Sequence, residues 1–116
     1  MTTDTPRVAA GNLGALEGRA ALDAAISEKA FAQQVVDAAR LTGWLVYRTF
    51  DSRRSPAGFP DLVLVRGGRL MFWELKTMRG RLSSAQLDWL AALADAGADA
   101  MLVSPRDWDA IVEMLR

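Results

Sequence analysis

The sequence predicts one α/β domain built on a mixed β-sheet flanked by helices, in the order helix, three strands, helix, strand, helix. Three observations carry that prediction. Apolar residues recur at helical spacing in three separate segments. Two continuous apolar runs, LVLV and LMFW, are short enough for strands and are joined through a Gly-Gly turn. A hydrophobic content of 51% over 116 residues supplies a core of ordinary size.

Residues 1–26 are rich in Ala, Gly and Thr and read as a loose N-terminal arm, with a weak helix around Leu13 to Ile26, ahead of a domain over 27–116. From Ser27 to Thr42, Phe31, Val35 and Ala39 lie four residues apart beside Ala32 and Val36, marking one buried helix face. Ser27 is its N-cap and Gly43 its stop. Trp44 to Phe50 alternates as a strand, and the Ser-, Pro- and Gly-containing DSRRSPAGFP that follows is a loop. Asp61 to Val65 and Leu70 to Lys76 are the next strands. Lacking a polar face, they belong in the centre of the sheet with both faces covered. Ser83 opens a helix carrying Leu87, Leu90 and Leu93 and ending near Gly97. DAMLV is a short strand, and SPRDWDAIVEML a last helix with Pro105 in its first turn.

Composition removes whole classes of chemistry. There is no cysteine, hence no disulfide framework and no thiol nucleophile, and no histidine, hence no imidazole base and no His-ligated zinc. Catalysis would have to come from carboxylates, Lys, Arg, hydroxyls or a bound cofactor. No segment approaches the roughly 20 apolar residues of a membrane span, and the N-terminus lacks a secretory signal, so a cytoplasmic protein is expected. The net charge of zero conceals strong polarity. Arg40 to Arg81 holds nine basic and three acidic residues, a balance of +6, and the remainder carries −6. An anionic partner is expected at the middle third.

The hairpin permits a geometric inference. With Gly67 and Gly68 at the turn, Arg66 pairs with Arg69, Val63 faces Phe72, Leu62 faces Trp73, and Asp61 falls opposite Glu74. The two-residue period puts Lys76 on the same face. Opposed carboxylates about 5 Å apart repel by roughly 3 kcal/mol at an effective dielectric near 20. A good cross-strand pair contributes only about 0.2–1 kcal/mol, so the arrangement is costly unless it serves a purpose or is well exposed. Two close carboxylates suit a hard divalent cation such as Mg²⁺ or Mn²⁺, which takes one or two carboxylates and keeps waters and phosphate oxygens. Such an ion acidifies water and neutralises a phosphodiester under attack, and Lys76 can orient the water or offset developing charge.

GFPDLVLV followed by MFWELK resembles the PD-(D/E)xK nuclease pattern: Pro60-Asp61, twelve residues, then Glu74-Leu75-Lys76. An acid early in the first helix, Gly-Phe-Pro-Asp, Glu-Leu-Lys, then Leu-Ser and a Gln opening the next helix are similar to the virus-type replication-repair nuclease branch, VRR-NUC. The resemblance covers about Ser27 to Trp108. It implies a restriction-endonuclease-like core with metal ligated by Asp61, Glu74 and the Leu75 backbone carbonyl. Glu28 is implied as an accessory metal ligand, Lys76 as catalytic and Gln86 as supporting the site. It also implies a bacterial or phage-infected host cell and homodimers that cut branched DNA of the Holliday junction or flap type.

Each residue also has a plainer reading. Glu28 suits the positive end of a helix dipole, Gln86 forms a capping box with Ser83, Lys76 could be a solvated strand-end charge, and Asp61 could end a loop. A single metal site accounts for Asp61, Glu74 and Lys76 together. Arg53 and Arg54 in the loop before the catalytic strands, and Arg79 and Arg81 in the loop after them, are candidate DNA phosphate contacts. No recognition helix or zinc finger is present, so structure-selective binding is expected. Trp89 and Trp108 read as core or subunit contacts. A C2 homodimer would match the two strands of a four-way junction. The competing readings are a catalytically silent nucleic-acid-binding or assembly module of the same fold, and a restriction-type or end-processing nuclease.

Overall fold

A computed structural model describes residues 18, 21–23, 25–50 and 55–116. The chain forms α1 (Glu28–Leu41), β1 (Leu45–Arg48), β2 (Leu62–Arg66), β3 (Arg69–Leu75), α2 (Ser84–Asp95), β4 (Asp99–Val103), a 3₁₀ turn (Pro105–Asp107) and α3 (Trp108–Leu115). The order is the expected one. Most of the expected N-terminal helix, and Arg53 and Arg54, lie outside the described residues.

α1 begins where Ser27 Oγ accepts from Ala30 N at 3.1 Å, and Phe31, Ala32, Val35, Val36 and Ala39 form its buried face. It stops at Gly43, whose φ of +90° is accessible to glycine without strain. Trp44 was expected to open the first strand but does not join it. Its buried indole reaches across the molecule and donates to Leu115 O at 3.0 Å.

The sheet order is β1-β2-β3-β4, with the first three strands antiparallel and β4 parallel to β3 through the α2 crossover. The hairpin register is as counted from the turn: Arg66 pairs with Arg69, Val63 with Phe72 and Leu62 with Trp73. Gly67 has φ +59° and Gly68 is not in the positive region, the pattern of a II′ hairpin turn.

One face of the sheet carries Leu62, Leu64, Met71, Trp73, Leu75 and Val103 into a single core with α1 and with Ile111 and Leu115 of α3. Each fully buried side chain of this kind contributes about 1.5–3 kcal/mol relative to exposure. The central strands were expected to be covered on both faces, and on the second face that holds only in part. α2 crosses that face without burying any residue of its own. Phe59 anchors it, meeting Trp89 of α2 edge-on at 5.1 Å and Phe72 of β3 at 6.1 Å. Beyond the reach of α2, Leu45, Val65 and Leu70, neighbours across three strands, remain exposed with Tyr47.

The basic middle third is also divided. Arg66 does not face an anionic partner. Its guanidinium donates to Thr42 O at 2.7 Å, Leu115 O at 2.9 Å and Arg116 O at 2.6 Å, and lies 4.6 Å from the Trp44 ring centroid. It thereby supplies donors to carbonyls at the C-terminal ends of α1 and α3, which have no partner within their helices. Arg69 also lies over the Trp44 ring, 4.9 Å from its centroid.

Candidate active site

Asp61, Glu74 and Lys76 meet where the β2–β3 ladder ends. The last paired residues are Leu62 and Trp73, and beyond them the main chain of Asp61 turns to β1, its carbonyl accepting from Thr49 N at 2.8 Å. Its carboxylate takes over on the β3 side, where Oδ2 accepts from Leu75 N at 2.8 Å. Asp61 is thus held at both ends by backbone, and Thr49 Oγ1 adds a bond to Pro60 O at 2.8 Å.

Glu74 is 1% exposed, the sole buried charged residue among those described. Gln86 Nε2 donates to its Oε2 at 2.7 Å. Its Oε1 is buried with no partner. Burial, first, then the charge of Asp61 and the hydrogen bond Glu74 can give it once protonated, push the Glu74 carboxyl up to about 8, and Lys76 pulls the other way. Lys76 Nζ lies 3.4 Å from Glu28 Oε1, while its backbone N continues the sheet to Val103 O at 3.0 Å.

Gln86 fills two roles that the sequence presented as alternatives. Its Oε1 accepts from Ser83 N at 2.8 Å while Ser83 Oγ accepts from Gln86 N at 3.2 Å, a complete capping box. The amide nitrogen is left over for Glu74. Capping a helix and steadying a carboxylate use opposite ends of one side chain.

These groups open onto a cleft of about 1210 Å³ whose walls include Glu28, Lys29, Tyr47, Arg48, Phe50 and Trp89. The structure therefore brings Asp61, Glu74, Leu75, Lys76, Gln86 and Glu28 to one cleft. It does not bring Arg81 there: that residue lines a neighbouring groove, and Arg79 is exposed on the same loop. Gly58 is a site residue that only its place in Gly-Phe-Pro-Asp signalled. It has φ +97°, and a Cβ there would lie 2.5 Å from the backbone of Ala85, so its bareness lets the loop seat the first turn of α2 beside Glu74.

The donor set fits a hard cation. Glu74 Oε1 is a buried acceptor that no protein donor meets, and Gln86 fixes the carboxylate from its other side. Among the described residues no three His, Cys, Asp or Glu side chains are grouped closely enough to hold an ion by themselves, and Glu28 pairs with Lys76. Two carboxylates are within the usual Mg²⁺ complement, the rest being water and substrate oxygens.

A mixed sheet with an aspartate just before one central strand and Glu-x-Lys at the end of the next defines a restriction-endonuclease-like α/β domain. The VRR-NUC domain model matches residues 18–106, and the chain belongs to that family, which places it in a nuclease superfamily. A solved structure titled "VRR_NUC domain protein" is similar with a TM-score of 0.62 and 16% identity, covering 78% of this chain and 88% of that one. Another, titled "VRR_NUC domain", has a TM-score of 0.55 and 26% identity over 70% of this chain and 92% of that one. No curated protein matches the chain. Among the described residues no helix is long and apolar enough to cross a membrane.

Proposed function

We propose that the chain is a Mg²⁺- or Mn²⁺-dependent, structure-selective DNA endonuclease that hydrolyses phosphodiester bonds in branched DNA. The observation that carries the reading is Glu74: a buried carboxylate with one oxygen fixed by Gln86 and the other unpartnered, beside Asp61 and Lys76 in an open cleft. A binding module has no use for such an arrangement, which costs stability.

Asp61, Glu74 and the Leu75 carbonyl would hold the ion, with Glu28 reaching it through water. When bound, the ion lowers the pKa of a water and neutralises charge on the phosphate. Lys76 orients the attacking water and offsets the charge that builds on the phosphoryl oxygens as a P–O bond to the leaving sugar breaks. Glu28 holds the Lys76 ammonium at the cleft wall until substrate competes for it. Gln86 keeps the Glu74 carboxylate in one orientation.

The test is incubation of the chain with labelled four-way junctions, flaps and linear duplexes in Mg²⁺, Mn²⁺ or EDTA. Metal-dependent cutting of branched substrates is expected, and loss of cutting in Asp61→Asn, Glu74→Gln and Lys76→Met. No cleavage under any condition would sink the enzyme reading, and cleavage that survives these substitutions would sink the site. Equal cutting of linear duplex would favour a restriction-type or end-processing nuclease. The exposed apolar strip of Leu45, Tyr47, Val65 and Leu70 supports a homodimer, and sedimentation of an active monomer would overturn it.

A further inference from the structure

On the far side of Lys76 from the carboxylates lies a second groove of about 560 Å³. It is formed by the β3–α2 loop, the first turns of α2, the end of β4 and the 3₁₀ turn. Its walls combine two features that seldom share a surface patch. Met78, Leu87 and Leu102 are exposed there, Leu87 at 52% and Leu102 at 44%. Arg81 and Arg106 line the same groove, both exposed, and neither has an ion-pair or hydrogen-bond partner among the described residues. Asp107 also lines the groove, but its Oδ2 is taken up by Ser104 N at 2.8 Å and Ser104 Oγ at 3.1 Å and makes no ion pair with either arginine, so the two basic side chains outnumber the one acid there.

Free guanidiniums over an apolar floor distinguish ligands. Duplex DNA presents phosphates outward and keeps its bases stacked inside, so it would engage the arginines and leave Leu87 and Leu102 uncovered. An unpaired strand offers phosphates and base faces together: a positive groove tracks its backbone, and unstacked bases pack against apolar as well as aromatic side chains. Lys76 lines both this groove and the cleft of Asp61 and Glu74, so the two adjoin at that side chain.

We propose that this groove binds the unpaired DNA strand leaving a branch point, with Arg81 and Arg106 on its phosphates and Leu87, Leu102 and Met78 against its bases. The assignment deepens the nuclease reading, on which it rests for the role of Lys76. It gives structure selectivity a location: a linear duplex has no strand to place there.

The test is fluorescence anisotropy in EDTA, where cutting is suppressed, with a labelled oligothymidylate and a blunt duplex as probes. Arg81→Gln and Arg106→Gln should each weaken oligothymidylate binding and lower the magnitude of its log–log salt slope by about 0.7. Leu87→Ser and, as a second variant that keeps strand propensity, Leu102→Thr should weaken single-strand binding several-fold with the salt slope and duplex affinity unchanged. Duplex and single strand weakened equally by every variant, or no effect of the leucine variants, would overturn the proposal. A fall in sedimentation coefficient in the leucine variants with oligothymidylate affinity intact would show a contact between copies of the chain instead, and also overturn it. Cleavage of a flap in Mg²⁺ is measured in parallel. A chain that cuts flaps yet shows no groove effect refutes the groove alone, and one that binds as described but never cuts refutes the nuclease reading alone.

Discussion

Glu74 shows how a single residue can be costly to the fold and necessary to the site. Its carboxyl is raised from 4.5 to about 8 in the folded chain, chiefly by burial and then by Asp61. A group with a raised folded pKa contributes stability that is complete below its unfolded pKa and is lost as pH climbs to the folded one. In EDTA, the unfolding free energy of the wild-type chain from urea titration should therefore fall between about pH 4.5 and 8, by at most about 1.4 kcal/mol per pH unit from this group, and the urea midpoint with it. Glu74→Gln, neutral throughout, should lack this component of the decline and exceed the wild type in stability at pH 8 while losing cleavage. A wild-type midpoint that holds level across that range would refute the assignment. Gln86 permits a finer dissection. Gln86→Glu keeps the acceptor for Ser83 N but has no donor for Glu74, so it should spare helix stability and impair cleavage. Gln86→Ala should do both kinds of damage, with a cap loss of about 1 kcal/mol in thermal unfolding.

At the level of elements, two residues outside the proposed chemistry set how helices meet the sheet. Gly58 lies against Ala85 so closely that Gly58→Ala must move α2 or the loop, and the backbone at φ +97° is itself unfavourable for alanine. The expected result is a loss of about 2 kcal/mol or more in chemical denaturation, with weaker cleavage because Gln86 shifts away from Glu74. Arg66 ties the C-terminal ends of α1 and α3 to the hairpin through three carbonyls and the Trp44 ring. Arg66→Met leaves those carbonyls without a charged donor. It should destabilise the chain by about 1.5–3 kcal/mol while leaving the salt dependence of DNA binding unchanged. An altered salt slope would return Arg66 to the DNA-binding surface.

Across the whole molecule, the distribution of coverage organises function. One sheet face is closed by α1 and α3 and supplies the core, and the other is only partly roofed by α2. The Asp61–Glu74 cleft and the Arg81–Arg106 groove open around the roofed end, while Leu45, Tyr47, Val65 and Leu70 stay bare at the hairpin end. Exposed apolar surface of that kind marks an association site. In the proposed dimer, the charged replacement Leu45→Glu should convert dimer to monomer by sedimentation without unfolding the chain. Unchanged mass in a chain shown to be dimeric would place the interface elsewhere.

The sequence by itself determined the elements, the hairpin register and the convergence of Asp61, Glu74 and Lys76. The elements and register follow from local rules: helical and two-residue periodicity, capping residues, and a two-glycine turn that fixes the pairs out to Leu62–Trp73. The expected Asp61–Glu74 pair is not part of the ladder, and Asp61 reaches β3 by its side chain, at Leu75 N. The residues brought together from distant segments were not legible this way. That Arg66 serves two helix ends, that Glu28 holds Lys76, and that Arg106 joins Arg81 depends on which loops and helices pack against one another. Charge counted along a chain does not say which way a side chain turns. The partial roof is another such case, because an apolar run reads the same whether a helix, a partner or nothing lies above it. Local backbone geometry brought Asp61, Glu74 and Lys76 to one end of the hairpin, and long-range packing decided which of their neighbours hold them, which line the open cleft and which only hold the fold.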